Sequence, residues 1–241
     1  LANRWRACHA YPINTFQSTL RTKLRHVSGD PIVAQRLKRM PTIINKLRIY
    51  QHMQLTTMQD IGGVRAVLET TSDVFTLANN YRENQQFTHE LVDLKDYISE
   101  PRSDDGYRSV HLIYKYKNKI NPQYDGLRLE MQIRTKLQHT WATAVETMGT
   151  FLGQALKSRQ GDRDWLDFFA ITSSAFASLE GCPPLPRFSN LSIPETFEKV
   201  AQAEAKLEAL EKMSGFSAAV NHIVQQRQAH SYHLIILDSL K

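Results

Sequence analysis

Glu130 lies in the alternating run "LRLEMQIRT" (127–135). Leu127, Leu129, Met131 and Ile133 make one greasy face of it, and Arg128, Glu130, Gln132 and Arg134 make the other. A solvated strand face usually carries a scatter of Thr, Ser and Lys, whereas this one sets a carboxylate between guanidiniums and beside an amide. Upstream, "YRSVHLI" (107–113) puts Tyr107, Ser109 and His111 on one face by the same alternation. Paired, the two strands would line one surface with an aromatic ring, an imidazole, a carboxylate and an amide. Asp60, ahead of the Gly62–Gly63 turn, adds a second carboxylate. Residues 21–48 hold Arg21, Lys23, Arg25, Arg36, Lys38, Arg39, Lys46 and Arg48 against the single acid Asp30. Hard oxygen ligands for Mg²⁺ and fixed positive charge for phosphate oxygens are what metal-assisted phosphoryl transfer uses. Taken alone, Glu130 reads more simply as an exposed strand carboxylate paired with Arg128, and the basic run as a solvated helix face.

These side chains need a sheet between helices. "INTFQSTLRTKLRHV" (13–27) has apolar positions at helical spacing, and "PIVAQRLKRMPTIINKLRIYQHM" (31–53) reads as a second helix opened by Pro31 and broken or kinked at Pro41. "GVRAVLET" (63–70) reads as a short strand, "SDVFTLANNYREN" (72–84) as a helix capped by Ser72, and "FTHELVDLKDYI" (87–98) as another strand before the turn-rich "SEPRSDDG". The strands around 107–117 and 127–134 form a hairpin-like pair, and "TKLQHTWATAVETMGTFLGQAL" (135–156) is helical again. The Pro-, Ser- and Asn-rich stretch 180–195 looks like a linker. It precedes an Ala/Glu/Lys helix from Pro194, and "SYHLIILDSLK" (231–241) resembles a final strand. The expected fold is α/β (α+β), a mixed sheet flanked by helices, with a catalytic domain over 1–180. Residues 181–241 would be a linker and a helical C-terminal appendage, or the start of a further domain.

At 241 residues, 41% hydrophobic and 22% charged, the chain is neither disordered nor fibrous, and a net charge of +6 favours a polyanionic ligand. Cys8 and Cys182 provide no disulfide framework and no Cys-rich zinc site. No signal peptide and no membrane-length apolar run is present, so a cytoplasmic protein without membrane contact is expected. The chain opens at Leu1 and stops soon after "YHLIIL", as a fragment of a longer protein would.

Four blocks in order resemble the synthetase domain of the RelA/SpoT alarmone-synthetase family. "RLKRMPTIINK" (36–46) matches R-x-K-x-x-x-S-x-x-x-K, and "DIGGVR" (60–65) spaces Asp60 from Arg65. "DYISEPRSDDGYRSVH" (96–111) resembles D-Y-I-x-x-P-K-x-N-G-Y-x-S-x-H, and "LEMQIRTKLQHTWA" (129–142) resembles E-x-Q-I-R-T-x-x-x-H-x-W-A. The resemblance implies a nucleotidyltransferase-like sheet and transfer of pyrophosphate from ATP to the 3′-hydroxyl of GDP or GTP. It implies that Arg36, Lys38, Thr42, Lys46 and Arg65 bind ATP, and that Asp60 and Glu130 hold Mg²⁺, with Glu130 also taking the hydroxyl proton. Tyr107 would stack on the acceptor base, with His111, Gln132, Arg102 and Asp105 around the acceptor. His139 reads equally well as a packing residue.

Thr42 replaces Ser and Arg102 replaces Lys, each keeping its chemistry. Asp105 stands where Asn is usual and leaves the acceptor open. Two alternatives follow. A toxin-type member would modify the tRNA 3′ end or make adenosine alarmones, with the C-terminal region as an antitoxin-like or regulatory domain. A catalytically silent nucleotide- or RNA-binding module would not need both Asp60 and Glu130. Oligomerisation is open in each case.

Overall fold

The computed structural model describes residues 1–83, 87–103, 105–158 and 160–226. These divide into two compact units, one of residues 1–97 with 109–136 and one of 98–108 with 137 onward.

In the first unit α1 (Ala2–Cys8) and α2 (Ala10–Leu24) precede β1 (Ile32–Leu37) and α3 (Met40–Ile49). Then come β2 (Gly62–Leu68), α4 (Thr71–Arg82), β3 (Glu90–Asp96), β4 (Val110–Lys115) and β5 (Arg128–Thr135). The described strands form a mixed sheet in the order β1-β2-β5-β4-β3. Only the β2–β5 pair in it is parallel. One face is apolar: Val64, Ala66 and Leu68, Leu129, Met131 and Ile133, and Leu112 and Tyr114 are all buried. α2 covers this face with Ile13, Phe16, Leu20 and Leu24 at helical spacing, and α4 does so with Val74, Leu77, Ala78 and Tyr81. The Tyr114 ring meets Phe16 at 5.6 Å, and its hydroxyl donates to the Tyr81 carbonyl at 3.3 Å. The opposite face carries the polar residues of the alternation.

The structure corrects three local expectations. Residues 32–37 form a strand, not a helix, antiparallel to β2 with Arg36 opposite Gly63. Ile32, Val33 and Leu37 suit an edge strand. Pro31 lies just ahead of it, where its missing N–H costs no ladder bond. Pro41 occupies the first turn of α3, where proline is tolerated, so it opens that helix instead of kinking one. The cap of α4 is Thr70, in a reciprocal capping box with Asp73, and not Ser72.

In the second unit α5 (Lys136–Phe151), α6 (Arg163–Leu179) and α7 (Ile193–Leu207) supply a core of Trp141, Val145, Met148, Trp165, Phe168, Phe169 and Leu207. Asp162 caps α6, and a Ser192–Glu195 capping box opens α7, which packs along α6. Glu208, at φ 51°, ends α7 before α8 (Ala209–Gln226). The strand expected at 231–241 falls outside the described residues. Among those residues, no helix is long and apolar enough to cross a membrane.

Candidate active site

The register across the sheet assembles the polar face. Ala34, Arg65, Gln132, His111 and Lys95 make one cross-strand row. Arg36, Gly63, Glu130 and Ile113 make the next, on the same face two residues along. Gly63 is required here, because a Cβ on it would lie 2.6 Å from the Glu130 carbonyl oxygen. The glycine lets β2 and β5 close up beside the carboxylate.

Glu130 does not pair with Arg128, which donates to the Thr57 carbonyl at 2.9 Å. His111 Nδ1 donates to Glu130 Oε1 at 2.9 Å, and Gln132 Nε2 donates to Glu130 Oε2 at 2.8 Å. The Gln132 carbonyl oxygen accepts from Arg65 Nε and Nη2 at 3.1 and 3.0 Å, so guanidinium, amide, carboxylate and imidazole form one chain. Burial pushes the Glu130 carboxyl up and the Asp60 charge adds to that push. The hydrogen bond and electrostatic pull of His111, with the Gln132 hydrogen bond, outweigh both, and the net pKa lies below the ordinary glutamate value. Glu130 is therefore ionised at neutral pH. The influence of Asp60 on it places the two carboxylates within each other's field.

Asp60 precedes β2 and is held by lysines from two elements. Lys38 follows β1 directly, with its N–H donating to the Ile61 carbonyl at 2.7 Å, and its ammonium reaches Asp60 Oδ2 at 2.6 Å. Lys46 is one turn along α3 from Ile43, which packs on Met58 and Ile61, and it donates to both Asp60 oxygens at 3.1 Å. Burial raises the Asp60 pKa, but the two ammoniums reverse this and hold it low. Lys38, 5% exposed, is pulled down by burial against the raising effect of Asp60, with Lys46 and Arg36 lowering it further. Arg36 and Thr42 are exposed, on β1 and in the first turn of α3.

Among the described residues no cluster of three or more His, Cys, Asp or Glu side chains could enclose a metal ion. Asp60 and Glu130 nevertheless suit Mg²⁺, which typically takes one or two carboxylates and completes its shell with water and substrate phosphate oxygens.

Tyr107, Arg102 and Asp105 lie in the second unit. Tyr107 precedes β4 instead of sharing its face, and Ser109 is buried with its hydroxyl donating to the Ile133 carbonyl at 3.0 Å. The Arg102 guanidinium sits 5.0 Å from the Tyr107 ring centre. Asp105 accepts from the Tyr107 N–H at 3.0 Å and pairs with Arg102 at 3.6 Å. Its negative charge is thus answered within its own loop. Sequence reasoning passed over Tyr97, whose ring meets His111 edge-on at 5.2 Å. Counting on by two from the Lys95 position opposite His111 would have placed Tyr97 on that face.

Residues 35–149 match the family described as the region found in RelA/SpoT proteins. Asp60, Lys38, Lys46, Arg65, His111, Glu130 and Gln132 all fall within it. GTP pyrophosphokinase YwaC of Bacillus subtilis is 32% identical over 114 residues, which is 45% of this chain and 52% of that protein. GTP pyrophosphokinase YjbM of the same organism is 34% identical over 119 residues, 48% of this chain and 54% of that one. The chain thus spans about half the length of these curated relatives. The crystal structure of small alarmone synthetase 1 from Bacillus subtilis bound to its product pppGpp superposes with a TM-score of 0.61 at 22% identity. It covers 74% of this chain and 92% of that one. That likeness establishes the fold, the α/β sheet of the small alarmone synthetases.

Proposed function

We propose that this RelA/SpoT region transfers pyrophosphate from ATP to the 3′-hydroxyl of a guanosine nucleotide, making (p)ppGpp, with residues 1–180 as the catalytic part. The observation that carries the reading is Glu130. It is a largely buried carboxylate kept ionised by His111 and Gln132, in the field of an Asp60 saturated by two lysines. In it, Glu130 accepts the hydrogen bond of the attacking hydroxyl and takes its proton. Lys38, Lys46, Arg36, Arg65 and Thr42 bind the ATP phosphates, the two lysines exchanging the Asp60 carboxylate for phosphate oxygens. Tyr107 stacks on the acceptor base, with Arg102 and Asp105 fixing its loop and His111 and Gln132 orienting the acceptor. Asp60 and Glu130 would hold Mg²⁺, which supplies charge neutralisation to the phosphates. Curated relatives named GTP pyrophosphokinases and a fold neighbour described with pppGpp bound support the choice of guanosine.

A tRNA 3′ end is the second reading of the acceptor, favoured by Arg21 and Arg25 lining an open cleft of about 490 Å³. In an incubation with ATP labelled at the α-phosphate and Mg²⁺, labelled AMP should form with GDP or GTP and not with unlabelled AMP or bulk tRNA as acceptor. AMP formation only with tRNA would transfer the reading to that acceptor, and AMP formation with none would overturn it.

A further inference from the structure

Arg108, the residue after Tyr107, is 3% exposed. Its Nε donates to Ser173 Oγ at 3.3 Å, its Nη1 to the Ile98 carbonyl at 3.1 Å and its Nη2 to the Pro183 carbonyl at 2.7 Å. Ile98 opens the segment that Arg108 closes, so one guanidinium ties both ends of 98–108 together and to the turn after α6. Ser173, on α6, in turn donates its hydroxyl to the Gly106 carbonyl at 2.5 Å. Gly106 has φ +73°, and a Cβ there would lie 2.7 Å from Ser173 Cβ, so the peptide before Tyr107 rests directly on that serine. One hydroxyl therefore holds the backbone before Tyr107 and the side chain after it. The contacts inside the loop, Arg102 over the Tyr107 ring and Asp105 on its N–H, fix the loop only against itself.

We propose that Arg108 and Ser173 are positioning residues that hold the Tyr107 loop for the acceptor base. Acceptor affinity is then set in part by α6, which lies outside the matched region 35–149. The inference rests on the reading of Tyr107 as the acceptor-stacking residue.

The test measures KM for GDP, KM for ATP, kcat and thermal unfolding on the full chain for Ser173→Ala, Arg108→Lys and Tyr107→Ala. Ser173→Ala keeps the packing and removes one hydroxyl, so it serves even where Arg108→Lys fails to fold. Expected is a rise of roughly 5- to 20-fold in the GDP KM of Ser173→Ala, the scale of losing the hydroxyl's two hydrogen bonds at the low end of their usual net worth, with the ATP KM within about twofold. A merely structural role would instead lower kcat and raise both KM values together, in step with the melting temperature, and that result would overturn the proposal. An unchanged GDP KM in Ser173→Ala alongside a raised one in Tyr107→Ala would overturn it while leaving the acceptor assignment standing. An unchanged GDP KM in Tyr107→Ala would overturn both.

Discussion

Gly63→Ala probes the point where fold and chemistry meet. The added Cβ would lie 2.6 Å from the Glu130 carbonyl oxygen, where ordinary contact needs about 3.4 Å, so β2 and β5 must part by about 0.8 Å at the Glu130 level. The obstructing atom is backbone, and it has no rotamer with which to move aside. Overpacking of this kind costs about 1–3 kcal/mol, which lowers the melting temperature of a chain this size by roughly 2–12 °C. The same displacement moves Glu130 relative to Asp60 and the lysines. A misplacement of about 1 Å in a reacting group can cost about 10²-fold, so kcat/KM should fall roughly 10- to 100-fold. Gly215→Ala is the matched control. Gly215 is exposed in α8 with no heavy atom within 4 Å of a built Cβ, and alanine should stabilise that helix by about 1 kcal/mol with activity unchanged. The assay pairs differential scanning fluorimetry with AMP release from ATP and GDP. Wild-type melting and turnover in Gly63→Ala would refute the close β2–β5 register on which the site rests.

Glu130→Gln should lower turnover about 10²- to 10⁴-fold with a melting temperature near wild type, and near-wild-type turnover would sink its role as proton acceptor. Lys38→Ala and Lys46→Ala should raise the ATP KM more than the acceptor KM. Lys38→Ala should also cost more stability, because its side chain is 6% exposed against 29% for Lys46; equal losses on denaturant unfolding would contradict this. His9, 1% exposed, has its pKa pulled below 6.5 by burial, against hydrogen bonds to the Trp5 and Arg6 backbone. The unfolded imidazole takes a proton near 6.5 that the folded one resists, so stability contributed by the neutral ring is full above 6.5 and falls as pH drops below it. Wild type should therefore lose more melting temperature between pH 7.5 and 5.5 than His9→Gln, and parallel pH profiles would show His9 to be silent.

The polar face was legible where the pattern of period two was uninterrupted. Leu129, Met131 and Ile133 against Glu130 and Gln132 placed the carboxylate, and the antiparallel partner carrying His111 followed from alternation alone. The donor side was harder to read. Arg36 and Lys38 were expected on one helix with Lys46, because Pro31 fits a helix-opening rule, Pro41 read as a break or kink within that helix, and a short edge strand of six residues has little alternation to show. Tertiary pairing with β2 decided it, and Asp60 is consequently clamped from two elements. Nor could alternation find the Arg108–Ser173 contact, since it joins residues 65 apart in the chain, one in a loop and one on a helix. Tyr107 was assigned to the β4 face because alternation was run past the point where the strand begins, at Val110.

The central claim is transfer of an intact pyrophosphate group, and the most direct measurement follows the phosphates of ATP separately. ATP labelled at the α, β or γ position is incubated with the full chain, Mg²⁺ and GDP, and the products are separated. The account predicts β and γ label together in the guanosine product and α label only in AMP, with this transfer about 10²- to 10⁴-fold slower in Glu130→Gln. Transfer of γ label alone, with ADP as the second product, would make the chain a simple phosphotransferase and contradict the account.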